Sequence, residues 1–288
     1  KNIANDQTQA ATYDVYVNPN AYIPVHDSPA PLTPGPTNPA LGTQGALLER
    51  TQVTRIGNEP PYDFNNKGWV TDGTNVTDGN NVEAGVDRSS PNGVDAPQTG
   101  NPDRVFTSTW NPPPGNPAPG DAPLTTQAQR GAVIQMFWVM NWYHDELYRL
   151  GFTEQARNFQ HDNFGRGGLG NDRIRAEAQD YASTNNANFS TPADGSRGRM
   201  QMFIWTGPNP DFDGDLDAEV IIHELTHGLS NRLHGNSSGL TTNMAAGMGE
   251  GWGDFYAHSL LSEPTDPIEG IYTVGAYVTY LGTTNFRG

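Results

Sequence analysis

Two histidines four residues apart enclose a glutamate in His223-Glu224-Leu225-Thr226-His227. On a helix that interval places both imidazoles on one face, with Cβ atoms about 5–6 Å apart, close enough to share one ion. Zinc held by three protein ligands keeps one open position, lowers the pKa of a water there toward about 7 and polarises a carbonyl. Glu224 then stands beside that face, where a base takes a proton from the water without ligating the metal itself. Such chemistry suits peptide hydrolysis. A buried polar pair satisfied by hydrogen bonds is the plain alternative. However, Val220-Ile221-Ile222, Leu225 and Leu229 bury the helix, and two His with a Glu there are costly without a ligand.

A third ligand must come from elsewhere. His234 fails by register, because metzincin-type spacing requires Gly at 230 and His at 233, where this chain has Ser230 and Leu233. Glu250 is the better candidate, with 22 residues between it and His227, in Gly247-Met248-Gly249-Glu250-Gly251-Trp252-Gly253-Asp254. Glu250 and Asp254 are again four apart. One helix can thus offer a carboxylate to zinc and another to the free nitrogen of a ligating His, fixing its tautomer. The competing reading is an acidic solvated face, which the Gly, Trp and Phe neighbours disfavour.

These residues must be positioned by longer elements. Ala132, Val133, Met136, Phe137, Met140, Tyr143 and Leu147 recur at helical steps from Thr126 to Leu150, and Gly151 follows the last turn. A second helix is expected from Asp217 to Leu233, with Asp217 or Asp215 as N-cap and Gly235 beyond its end. A third covers Met248 to Ser262. Arg199 to Trp205 reads as a strand ended by Thr206-Gly207-Pro208-Asn209-Pro210, and Thr12 to Val17 as another at two-residue period. Between the long helix and the 199–205 strand lies a Gly/Asn-rich loop, Asn163 to Asp172. Residues 1–125 are broken by Pro and Gly, as in Pro29 to Pro36 and Asn111 to Gly115, which rules out long helices there.

Composition narrows the function. Across 288 residues, 16 Lys+Arg face 32 Asp+Glu, a net charge of −16. Binding to nucleic acid or an anionic membrane surface rests on basic residues, so neither is expected. With no Cys, disulfides, thiolate ligands and thiol catalysis are excluded together. No run approaches the roughly 18 apolar residues of a membrane span. Scarce Lys and abundant Asn, Asp, Thr and Gly suggest an exported, secreted protein. The opening Lys1 to Asp6 lacks a signal-peptide core, so export implies a leader already removed.

Together, His223 to Leu233 and Gly249-Glu250-Gly251-Trp252-Gly253-Asp254-Phe255 resemble the fungalysin family of secreted zinc metalloendopeptidases, relatives of thermolysin. The resemblance extends to Tyr143-His144-Asp145, Leu150 to Glu154, Gly167 to Asp172, Asn185-Asn186-Ala187-Asn188-Phe189 and Asp213-Gly214-Asp215. It is specific over about residues 130–260 and loose over 20–125. It implies that His223, His227 and Glu250 bind zinc, that Glu224 is the general base, and that Asp254 supports His223. It also implies that Asn186 and Ala187 sit on an edge strand pairing with the substrate backbone; read without it, Asn185 to Phe189 is an ordinary turn.

The family continues with a helical segment carrying an oxyanion-binding His, whereas this sequence stops at Gly288. A companion chain or C-terminal segment of the same protein is therefore a candidate partner. His258 is a conceivable substitute donor, but a packed helix histidine is the simpler reading. Asp211-Phe212-Asp213-Gly214-Asp215-Leu216-Asp217 offers carboxylates suited to calcium, although helix capping and solvation explain them more simply. His144 and Asp145 face different directions and read as structural.

The expected architecture is an α+β, thermolysin-like, two-lobe fold. A β-rich lobe over 1–216 carries one long helix, and a truncated helical lobe over 217–288 carries the zinc site. The expected function is a zinc-dependent endopeptidase acting on extracellular proteins or peptides. Its rivals are a zinc-stabilised fragment that is inactive or needs a C-terminal partner, and a metal-free acidic binding module.

Overall fold

Alternating burial of Ala11, Tyr13 and Val15 makes Ala11–Val15 the first strand, β1, with one face in the core. The computed structural model describes residues 9–18, 23–24, 29, 32–33, 43–44, 48–64, 66–111, 123–206, 211–264, 266–270, 272 and 274–279. The Pro29–Pro36 and Asn111–Gly115 runs lie largely outside them, as does the terminator Gly207–Pro210. After β1 come β2 (Leu32–Thr33), β3 (Thr43–Gln44), β4 (Thr51–Arg55), β5 (Val82–Val86), β6 (Ala96–Pro97) and β7 (Val105–Phe106). Described residues before position 126 form strands and turns only. β1 ends sooner than its alternation suggests, because the Tyr16 amide leaves the ladder to donate to Gln135 Oε1 at 2.8 Å.

Helix α1, Thr126–Arg149, is capped by the Thr125 side chain, which accepts from the Ala128 amide. Ile134, Met136, Phe137, Trp138, Val139 and Met140 are all inaccessible, so its middle is buried on every side rather than along one stripe. Gly151, at φ +105°, supplies the left-handed residue that stops it. Strands β8 (Ile174–Ala178), β9 (Ala187–Ser190), β10 (Arg199–Met202), β11 (Ile204–Trp205) and β12 (Phe212–Asp213) follow. The strand expected over Arg199–Trp205 divides at Phe203, whose carbonyl accepts from the Gly214 amide. Its first part joins the main sheet, and its second pairs with β12.

The main sheet runs β6-β5-β8-β10-β9, with β5, β8 and β10 parallel and β9 antiparallel at one end. Val82, Ala84, Ile174, Ala176, Met200 and Met202 bury one face of it in the same hydrophobic cluster as α1. The alternate residues Glu83, Arg175, Glu177, Arg199 and Gln201 turn to the other face, which is polar.

Helix α2, Ala218–Leu233, opens where Asp217 accepts from the amides of Glu219 and Val220. Helix α3, Asn243–Leu261, starts five residues before the expected Met248 because Thr242 caps it, accepting from the Ala245 amide at 3.2 Å. Four glycines at alternate positions, 247 to 253, hide its early turns from a propensity reading. A short α4, Ala276–Thr279, follows. The fold is α+β, and no helix among the described residues is long and apolar enough to cross a membrane.

Candidate metal centre

His223 and His227 project from α2 with ring centroids 4.9 Å apart and planes at 81°. Where α3 passes over the rings it carries glycines, Gly249 and Gly253. A Cβ on Gly253 would lie 2.6 Å from His223 Nδ1, and one on Gly249 would lie 3.9 Å from His227 Nδ1. The histidine pair at i and i+4 therefore meets a glycine pair at i and i+4, and the helices approach over the rings.

This approach carries Glu250 to the imidazoles. Its Oε2 stands 3.0 Å from His223 Nε2 and 3.4 Å from His227 Nε2. Two ligands held 2.0–2.1 Å from one tetrahedral zinc ion stand about 3.3–3.4 Å apart, so these separations match a shared ion. On the far side of the ring, His223 Nδ1 meets Asp254 Oδ1 at 2.7 Å. A carboxylate only accepts, so Nδ1 carries the hydrogen. Nε2 then faces Glu250 Oε2 at 3.0 Å, a position that a proton or a shared metal ion fills. Burial pushes His227 below the ordinary histidine range, against the opposing field of Glu250, which favours the neutral, ligating form.

Glu224 is nearly buried beside the pair, with Oε2 4.0 Å from His227 Nε2. Burial lifts its carboxyl to about 7, with His223 opposing and Glu250 reinforcing the rise. His223, Glu224 and His227 each place a donor atom within 4.8 Å of the others. A cleft of about 440 Å³ opens over them, lined also by Asn186, Ala187, Glu250, Asn231 and Leu240. Ala187 begins β9, the terminal strand of the main sheet, and Asn186 precedes it directly. All seven candidate residues thus converge on the cleft or, for Asp254, on the ring behind it.

A family profile described as "Fungalysin metallopeptidase (M36)" matches residues 47–286. The chain belongs to the fungalysin metallopeptidase family. "Extracellular metalloproteinase MEP" of Pyricularia oryzae is 43% identical over 164 residues, 54% of this chain and 24% of that protein. "Probable extracellular metalloproteinase 2" of Arthroderma benhamiae is 44% identical over 194 residues, 66% of this chain and 28% of that protein. "Extracellular metalloproteinase 2" of Trichophyton rubrum reaches 57% over 93 residues, 32% and 15% of the two chains. This fungalysin therefore spans about a quarter, or less, of the length of these relatives.

Several residues that shape the cleft lie within or beside the motifs above without a role that sequence assigns. Gly228, beside His227, leaves room for Phe189 and Phe159, whose rings would stand 2.8–3.0 Å from a Cβ there. Those rings meet edge to face at 5.6 Å and hold β9 against α2. Arg232, inaccessible near the end of α2, donates to the carbonyls of Pro192, Arg157 and Ser196 and to Asp172 Oδ2 at 2.9 Å. Its guanidinium also lies over Phe159. Only the burial of an unbroken cation would have signalled it, and burial is not visible in sequence.

Other motifs have structural roles. His234 Nδ1 meets the Ser230 carbonyl, and its ring lies over Trp252. His258 approaches Glu219 Oε1 at 3.3 Å and lines a different cavity with Tyr272. His144 pairs with Asp145, which also accepts from Trp69 Nε1. In the Asp211–Asp217 run, Asp213 caps a 3-10 turn and Asp217 caps α2.

Proposed function

We propose that this chain carries the zinc site and catalytic base of an extracellular metalloendopeptidase. Glu250 Oε2 standing within tetrahedral ligand spacing of both His223 Nε2 and His227 Nε2 is the observation that supports it. In this reading those three residues hold zinc, and Asp254 fixes the tautomer of His223. Bound zinc supplies a Lewis acid for a scissile carbonyl and acidifies water toward neutrality.

The chain's own groups do the rest. An extended peptide lies along the open edge of β9, where Asn186 and Ala187 offer backbone hydrogen bonds indifferent to side-chain identity. Glu224 takes the proton of the attacking water and returns it to the leaving amine. Its burial places its affinity for protons near neutral pH, as an alternating acid and base requires. The lobes meeting at this cleft are residues 1–216 and 217–288. The names of the relatives support an extracellular setting and protein substrates.

A second reading, that catalysis needs a companion segment, is favoured by the outer face of α3. Met244 is 87% exposed there and Phe255 62%, an apolar face suited to being covered. One experiment addresses both readings. Zinc content is measured, then cleavage of an internally quenched, doubly blocked peptide with and without chelator. Chelator-sensitive cleavage that Glu224→Gln abolishes, with zinc retained, is expected. A folded protein that takes up no zinc refutes the metal site, and a zinc-loaded but inactive one favours the companion segment.

A further inference from the structure

At the carboxyl ends of β5 and β8 in the main sheet, three carboxylates meet in a fully buried position. Asp87 follows the last residue of β5, Glu177 lies in β8, and Asp180 follows its end. One carboxylate oxygen from each lies within 4.8 Å of the others. All three residues have zero exposure. The parallel register sets Gly85 beside Glu177 and Val86 beside Ala178, and the Asp87 amide continues the ladder to the Ala178 carbonyl. Gly85 has no room for a Cβ, since one would lie 2.1 Å from the Ala96 carbonyl oxygen. The 88–97 segment therefore folds directly over the acids.

The protein satisfies only part of this charge. Arg199 Nε donates to Glu177 Oε2 at 2.6 Å, and its Nη2 stands 3.5 Å from Asp180 Oδ2 and 4.0 Å from Asp87 Oδ2. Asp87 Oδ2 accepts from the Gly93 amide, Asp180 Oδ1 from the Ala182 amide, and Asp180 Oδ2 from the Gln201 side chain. Asp87 Oδ1 and Glu177 Oε1 are buried without any hydrogen-bond partner. Arg175, itself 40% exposed, reaches no closer than 4.0 Å to Glu177 Oε1, beyond hydrogen-bonding range. Three buried carboxylates against one bonded guanidinium, with two orphaned oxygens, form a site short of positive charge.

We propose that Asp87, Glu177 and Asp180 bind a calcium ion. The donors are all hard oxygens, which select calcium or magnesium over zinc. Ligands of one calcium, at 2.3–2.6 Å, lie up to about 5 Å apart, which accommodates the observed spread. Magnesium, at 2.0–2.1 Å with reluctant dehydration, suits a dry three-carboxylate pocket less. The ion would join β5 to β8 under the 88–97 segment. It would stiffen the sheet whose last strand borders the zinc cleft, without contacting that cleft. This site is distinct from the Asp211–Asp217 run, where Asp213 and Asp217 cap helical turns and Asp215 accepts from the Gln179 amide.

The test uses the whole chain with zinc retained. Calcium added after gentle chelation should raise Tm by roughly 3–5 °C for each tenfold increase above its dissociation constant. Asp87→Asn and Glu177→Gln should each abolish the calcium-dependent shift, while Asp211→Asn keeps it. A crystal soaked in terbium should show an anomalous peak between Asp87 and Glu177, a readout that needs no variant to fold. No calcium dependence, a shift that survives Asp87→Asn, or a peak only at Asp211–Asp217 would each overturn the proposal.

Discussion

Gly253→Ala sets two physical effects against each other. On an exposed helix the change gains about 1 kcal/mol of helix propensity. At this position the new methyl would stand 2.6 Å from His223 Nδ1, 2.8 Å from Cγ and 2.9 Å from Cε1, a flat wall rather than a flexible tip. Ordinary contact begins near 3.4 Å, so the ring must retreat by about 0.8 Å or α3 must lift by as much. Metal–ligand distances tolerate only about 0.2 Å, and the 2.7 Å bond to Asp254 is lost with the ring's position. Loss of such a supporting partner costs about 10–100-fold in metal affinity, or about 1.4–2.8 kcal/mol. Competitive titration with a chromophoric chelator measures this directly. Gly247→Ala and Gly251→Ala are the controls, because a Cβ at either meets nothing within 4 Å. Both should hold zinc normally and gain helix stability. Zinc affinity of Gly253→Ala within about twofold of the parent would refute the account of how α3 approaches the histidines.

Other expectations follow from the same contacts. Arg232→Met leaves the buried Asp172 charge with only the Gln160 and Gly195 amides and takes the donor from the Arg157 and Ser196 carbonyls, so it should cost about 3–5 kcal/mol in urea unfolding, part of it recovered by Asp172→Asn. A loss under about 1 kcal/mol would contradict its place as a hub. Gly228→Ala should push Phe189 and β9 outward, lowering peptide kcat/KM on the order of tenfold with zinc affinity intact, and Phe189→Leu should restore much of it. If the double variant is no better than the single, the edge strand is not positioned by this contact. Burial and the neighbouring Asp180, opposed by Arg199, raise the Glu177 carboxyl to about 7 in the folded chain. The proton is then held more tightly folded than unfolded, so its stabilisation is complete below about 4.5 and lost as pH rises through 7. In calcium-free buffer Glu177→Gln should flatten that part of the stability profile, and an unchanged slope would exclude Glu177 as its source.

The chemistry-bearing residues were legible in sequence because their partners are local. His223 with His227, and Glu250 with Asp254, are one helical turn apart, so spacing alone places each pair on one face. What spacing cannot show is why α3 carries glycines. Helix propensity counts Gly249 and Gly253 as defects, and their reason lies across the interface in the imidazoles of α2. Arg232 was missed for a similar cause, since its acceptors are 36 to 75 positions away along the chain. Asp87 and Glu177 are brought together only by parallel strand pairing, which has no signature at fixed sequence distance. The boundaries that moved, at Val15, Phe203 and Asn243, did so where one amide or carbonyl found a tertiary or capping partner.

Strand β9 ends the main sheet in a run of only four residues, two of them Asn188 and Ser190. A sheet edge kept open for one peptide is open to any extended chain, including the same edge on a second copy. Brevity and polar side chains limit that hazard: a long apolar edge would template its own aggregation, whereas four residues grip a passing strand weakly enough to release it. On the proposed reading, the same brevity means that backbone pairing alone would not retain a substrate for long. Residence in the cleft would then be decided by side-chain contacts beyond the strand, and cleavage would favour chains already unfolded enough to lie flat.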